Sequence, residues 1–94
     1  MTNKYTLLIY EAEPDEGGYW AKVAELPGCA TSGESLDELV ANAHEAIDAW
    51  IEVTRQTGGT VPEPPRQWHV PTDQDQEEGS LFGVIGLAPS VAAA

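Results

Sequence analysis

The segment His44-Glu45-Ala46-Ile47-Asp48 begins like a zinc-binding HExxH helix, where two histidines one turn apart hold the metal and the glutamate acts as base. Asp48 stands where the second histidine is needed. His44 and Asp48 can reach a common point from one helix face, but the obvious places hold no third ligand, so a solvated polar face is expected. Glu11, Glu13 and Asp15 form a second acidic group on and just beyond a strand-like segment, of the kind a two-metal nuclease uses. Such a site needs acids converging from several elements, and nothing in the sequence brings a further pair to these three. Cys29 is the single cysteine. A nucleophilic thiolate needs a neighbouring base or cation, and none adjoins it, so packing after a turn is its expected role. His69, within Trp68-His69-Val70, is expected to be a satisfied or exposed side chain rather than a general base. These residues predict no catalytic group, no metal site and no cofactor.

Bulk charge points instead to a macromolecular partner. Sixteen acidic residues against four basic ones leave a formal net charge of -12. Lys4, Lys22, Arg55 and Arg66 are too few and too scattered to neutralise a phosphate backbone, which argues against direct nucleic-acid binding. An anionic membrane surface would repel the chain, and a basic protein would be steered toward it. With 94 residues, 41% of them apolar, the chain has material for one small domain. A lone cysteine excludes an intrachain disulfide, and the first residues show no apolar signal-peptide region, so a reducing cytoplasm is the expected location. The apolar stretch from Leu81 to Ala88 is too short to span a bilayer.

The elements that must position these groups follow from pattern. Residues 5–13 are rich in aromatic and aliphatic side chains and predict a strand buried largely on one face. Pro14-Asp15-Glu16-Gly17-Gly18 predicts a turn, and residues 19–25 a second strand paired with the first as a hairpin. Leu26-Pro27-Gly28 breaks that strand, and a short third strand follows over residues 29–32. Ser35 with Glu38 three residues later is a capping box at the start of a helix. Its apolar face is Leu36, Leu39, Val40, Ala43, Ile47, Trp50, Ile51 and Thr54, and Gly58-Gly59 ends it near Gln56. Beyond Pro62, Pro64 and Pro65, residues 67–70 suggest a fourth strand. Residues 71–80 read as a polar, acidic linker, and residues 81–94 as an apolar tail without capping signals.

Gly18-Tyr19-Trp20-Ala21, Glu25-Leu26-Pro27-Gly28-Cys29, Gly33-Glu34-Ser35-Leu36-Asp37-Glu38-Leu39, a helix and Gly59-Thr60-Val61-Pro62-Glu63-Pro64, in that order, closely resemble the HicB-like antitoxin family over residues 5–64. The resemblance implies an α+β fold: a three- to four-stranded antiparallel sheet with one long helix packed on one face, a partial ribonuclease-H-like core. It implies a domain over residues 1–70, followed by an acidic linker and apolar tail over 71–94. It also implies a partner, a basic messenger-RNA-cleaving toxin of the HicA type that resembles a double-stranded-RNA-binding domain. Longer relatives append a helix-turn-helix or ribbon-helix-helix domain that binds their operator. The residues after Val70 show no such pattern and no basic recognition element, so operator binding is not expected of this chain.

The expected mechanism is stoichiometric occlusion of the toxin, with Glu11, Tyr19, Trp20, Glu25, Asp37, Glu45, Asp48 and Glu52 as the candidate partner-binding residues. The rival reading is an interaction module of the same family that assembles with itself and has no toxin; a metal-dependent nuclease is more distant. In either of the first two, so small a core predicts a homo-oligomer, dimer or higher. Sheet edges, Tyr10, Tyr19 and Trp20, and the segment from Leu81 to Ile85 acting as a strand added to a neighbour are the surfaces available for it.

Overall fold

A computed structural model describes residues 4–13, 15–65 and 69–88. β1 (Tyr5–Glu11) pairs antiparallel with β2 (Tyr19–Val23), with Ile9 opposite Ala21 and Tyr10 opposite Trp20. β2 pairs antiparallel in turn with β3 (Ala30–Gly33). The long helix α1 (Leu36–Gln56) follows, then a one-turn helix α2 (Asp73–Glu77) and β4 (Ser80–Leu87). β4 lies antiparallel on the free side of β1, giving the strand order β3-β2-β1-β4. This is the expected α+β fold, a four-stranded antiparallel sheet with one long helix.

α1 starts where the Glu38 amide donates to Ser35 Oγ at 3.2 Å. It ends in a Schellman arrangement: Gly58, at a φ of 79° that side-chain-bearing residues avoid, donates to the Arg55 carbonyl, and Gly59 donates to that of Thr54. Spacings of three and four bring Leu39, Ala43, Ile47 and Ile51 onto the sheet, where they pack with Tyr5, Leu7, Ile9, Ala21, Val23 and Leu87. Val40 and Trp50 flank this core half-buried, and Leu36 is exposed at its rim. Trp50 Nε1 donates to the Pro27 carbonyl at 3.0 Å, tying the β2–β3 turn to the helix.

Three local expectations need correction. β1 is buried on both faces, not largely on one: Thr6, Leu8 and Tyr10 are as enclosed as Tyr5, Leu7 and Ile9. The reason is residues 69–79, read from sequence as strand end and linker, which cross the face opposite α1. There the His69 amide donates to Thr6 Oγ1 at 3.3 Å and Tyr10 Oη donates to the Asp75 carbonyl at 2.7 Å. Second, the fourth strand is residues 80–87, not 67–70. His69 and Val70 lie in no strand, and Gln67 and Trp68 fall outside the described residues. Third, within 71–80 Thr72 caps α2 by a reciprocal capping box with Asp75. The acidic composition that suggested a linker conceals a carboxylate with tertiary work.

The β3–α1 junction is tight enough to test. A Cβ added at Gly33 would lie 2.6 Å from the Leu39 amide nitrogen and 2.9 Å from its Cα, so backbone rather than a side-chain tip would have to move. Gly33→Ala is expected to cost about 2 kcal/mol, read as a lowered midpoint in urea unfolding. An unchanged midpoint would mean that α1 is not pressed against β3.

Candidate functional site

Trp20 is where the chemistry of this surface converges. Alternation along β2 turns Tyr19, Ala21 and Val23 toward α1, and Trp20 and Lys22 to the opposite face. On that face the Trp20 ring stacks on Tyr10, with centroids 4.2 Å apart and planes 12° from parallel. Tyr10 Oη in turn holds the α2 backbone, so the aromatic pair is fixed from beneath. Burial raises the Tyr10 phenol above its ordinary value, keeping it a neutral donor.

Beside this stack a polar cluster fastens α2 to the sheet. Asp75 Oδ1 accepts from Lys22 Nζ at 2.9 Å, and Oδ2 meets His69 Nε2 at 2.7 Å and the Thr72 amide at 2.9 Å. Lys22 also pairs with Glu78 at 2.6 Å. The Thr72 amide first, then His69 and Lys22, hold the Asp75 carboxyl well below the usual carboxylate range. For Lys22, burial works to lower the pKa, but the hydrogen bonds it donates to Glu78 and Asp75 outweigh it and the net shift is upward. The cluster is internally satisfied and joins β2, the segment at His69 and α2.

Two of the clefts walled by Trp20 also touch α2. One, of about 390 Å³, opens toward the β2–β3 turn and is lined by Lys22, Leu26, Pro27, Cys29, His69 and Asp75. The other, of about 380 Å³, is rimmed by Glu11, Glu13 and Glu16 from the hairpin, by Glu77 at the end of α2 and by Glu78 just after it. An aromatic wall with a carboxylate rim suits a cationic side chain, through charge attraction and cation–π contact together.

The candidate residues do not form one patch. Glu11 and Trp20 meet at the acidic cleft. Tyr19 lies on the α1 side of the sheet, edge-on to Phe82 at 5.2 Å. Glu25 Oε1 accepts the Thr6 amide at 2.7 Å, fastening the turn after β2 to β1. Asp37, Glu45 and Glu52 are exposed on α1 with Asp48 half-buried beside them, a second and separate acidic surface. Glu16, Glu77 and the Asp75 cluster were not singled out from sequence; Thr72-x-x-Asp75 was the available signal, a second capping box. Of the chemical candidates, Cys29 is buried, which raises its thiol pKa, opposite to what a nucleophile needs. Among the described residues, no group of three or more His, Cys, Asp or Glu side chains is placed to hold a metal ion. His44 Nδ1 is enclosed without a hydrogen-bond partner. No helix of the described residues is long and apolar enough to cross a membrane.

Comparison with known proteins decides the family. The sequence profile described as the HicB_like antitoxin of bacterial toxin-antitoxin systems matches residues 5–92. The chain belongs to this family. A UPF0150 protein of Archaeoglobus fulgidus is 45% identical over 53 residues, 55% of this chain and 72% of that protein. A UPF0150 protein of Thermoplasma acidophilum is 40% identical over 60 residues, 63% of this chain and 83% of the other. The fold is shared with the crystal structure of the N-terminal domain of Burkholderia pseudomallei antitoxin HicB: the TM-score is 0.65 at 17% identity, covering 94% of this chain and 99% of that one. The HicB-like match thus extends over α2 and β4, past the residue-64 limit of the motifs read from sequence.

Proposed function

We propose that this HicB-like chain is the antitoxin of a toxin-antitoxin pair, acting in the cytoplasm by binding and covering a basic, messenger-RNA-cleaving toxin of the HicA type. The observation that carries the reading is the family match over residues 5–92. The net charge of -12 supports the chemistry of the partner, because a protein that grips RNA must display Lys and Arg, and these are drawn to a carboxylate surface. In this reading the antitoxin contributes no catalytic group and does not itself hold RNA. It occupies the toxin's RNA-binding face and blocks access.

Of the two acidic surfaces, the cleft at Trp20 is the better docking face. It combines negative charge with a rigid, half-buried aromatic, and Trp is prominent among residues that dominate interface energies. The α1 stripe offers carboxylates facing solvent without such an anchor. Co-expression with a tagged HicA-type toxin tests the reading: a complex that survives purification at physiological salt is expected. Failure to bind at micromolar concentration would favour the toxin-free interaction module instead.

A further inference from the structure

Among the described residues β4 is an end strand, so along one side its alternate amide and carbonyl groups face no neighbouring strand there. The opposite end, β3, is only four residues long, and its Ser32 carbonyl accepts from Asn42 Nδ2 at 2.8 Å, which blunts that edge. β4 has no such protection from charge. It is eight residues long, and residues 79–88 carry no charged side chain. Phe82 is 48% exposed, and Leu81, Val84 and Ile85 are only half-buried. The register shift between Ile9 and Tyr10 falls opposite the start of β4, leaving Gly83 through Leu87 paired one-to-one with β1 and regular in geometry.

We propose that the free edge of β4 binds the β4 edge of a second copy of this chain, antiparallel about a two-fold axis at Ile85, joining two four-stranded sheets into one of eight. Charge selects both the occupant and the place. Two chains of net charge -12 repel across most of their surfaces, and at this uncharged strip they meet without setting carboxylate against carboxylate. The strand is also self-complementary. Pairing centred on Ile85 sets Gly83 against Leu87 and Val84 against Gly86, so each glycine faces an aliphatic side chain and each contact occurs twice, as two-fold symmetry requires. One side of β4 remains on its own β1, so the pairing needs no exchange of strands between copies.

Sedimentation equilibrium of the full chain at tens of micromolar tests this. A dimer is expected. Gly83→Glu should weaken it at least about tenfold while leaving the fold intact, because an added Cβ there meets nothing within 4 Å. Phe82→Glu serves as a second variant should the first fail to fold by circular dichroism. Ala30→Glu, on the β3 edge, should leave the dimer unchanged. Hydrogen exchange of β4 amides should slow as protein concentration rises. A monomer throughout this range would overturn the proposal. So would a dimer that withstands both β4 variants, one that Ala30→Glu dissociates, or β4 amides protected only when a toxin is added.

Discussion

Replacing Asp75 by alanine is expected to remove about 3 kcal/mol of stability, from a total on the order of 5–14 kcal/mol for a chain of this length. Asp75 and Thr6 are the buried polar side chains of the described residues, and Asp75 alone of the two is ionisable. Its loss leaves Lys22 with Glu78 only, removes the partner of His69 Nε2 and breaks half of the α2 capping box. The effect should reach beyond α2, because Tyr10 and Thr6 are covered by the segment this carboxylate holds down. Urea unfolding gives the size of the change, and exposure of Trp20 should appear in its fluorescence. An unaltered midpoint would mean that residues 69–79 contribute little to the fold.

The same carboxylate sets a pH dependence. In the unfolded chain an aspartate titrates near about 3.9, whereas in the fold Asp75 is held lower. As pH falls, the unfolded state therefore takes up the proton first. The stabilisation is complete above roughly pH 5 and is lost progressively on acidification. Lys22 acts in the other direction: with its pKa raised, its contribution is complete below the unfolded lysine value of about 10.4 and declines only as pH rises past it. Asp75→Asn should flatten the acid limb of the stability profile and leave the neutral plateau level. An acid limb as steep in Asp75→Asn as in the parent would assign it to other groups.

Charge reversal at the Trp20 cleft should have the largest effect on partner binding. Glu11→Lys, Glu13→Lys and Glu77→Lys together are expected to slow association with a basic HicA-type toxin at least about tenfold at low salt. They should also flatten its salt dependence, since screening acts over about 8 Å at physiological ionic strength and the variant has less field to screen. All three side chains are exposed, so the fold should tolerate them. Trp20→Ala should act on dissociation instead, by about thirtyfold, the equivalent of a hot-spot loss of about 2 kcal/mol. The counter-set is Asp37→Lys, Glu45→Lys and Glu52→Lys on α1. Should the α1 set slow association and the cleft set leave it unchanged, the docking face is the helix.

Much of the fold was legible because its signals are local. The period of Leu39, Ala43, Ile47 and Ile51, the Ser35 cap and the Gly58-Gly59 stop each act within a few residues, and they set α1 correctly. The hairpin of β1 and β2 followed from alternation and from the glycines between them. β4 was missed for a physical reason. Its glycines interrupt alternation, and its identity as a strand comes from β1, more than sixty residues earlier in the chain. α2 was missed because the Thr72-Asp73-Gln74-Asp75 capping box is carried by one turn whose carboxylate is buried by tertiary contacts that composition does not reveal. Among the candidate partner-binding residues, sequence could supply type but not face: Tyr19 and Trp20 are adjacent in the chain and lie on opposite sides of the sheet. Glu25 reads as one more surface acid until the Thr6 amide is found on it.

The most direct test of the antitoxin reading is a titration of toxin ribonuclease activity. A HicA-type toxin cleaving messenger RNA at fixed concentration is mixed with increasing amounts of this chain, and residual cleavage is followed. Cleavage should fall linearly to nothing at a fixed small-integer ratio of antitoxin to toxin, as expected for stoichiometric occlusion by a tight complex. Cleavage that continues undiminished in the presence of a several-fold excess of folded chain would contradict the reading.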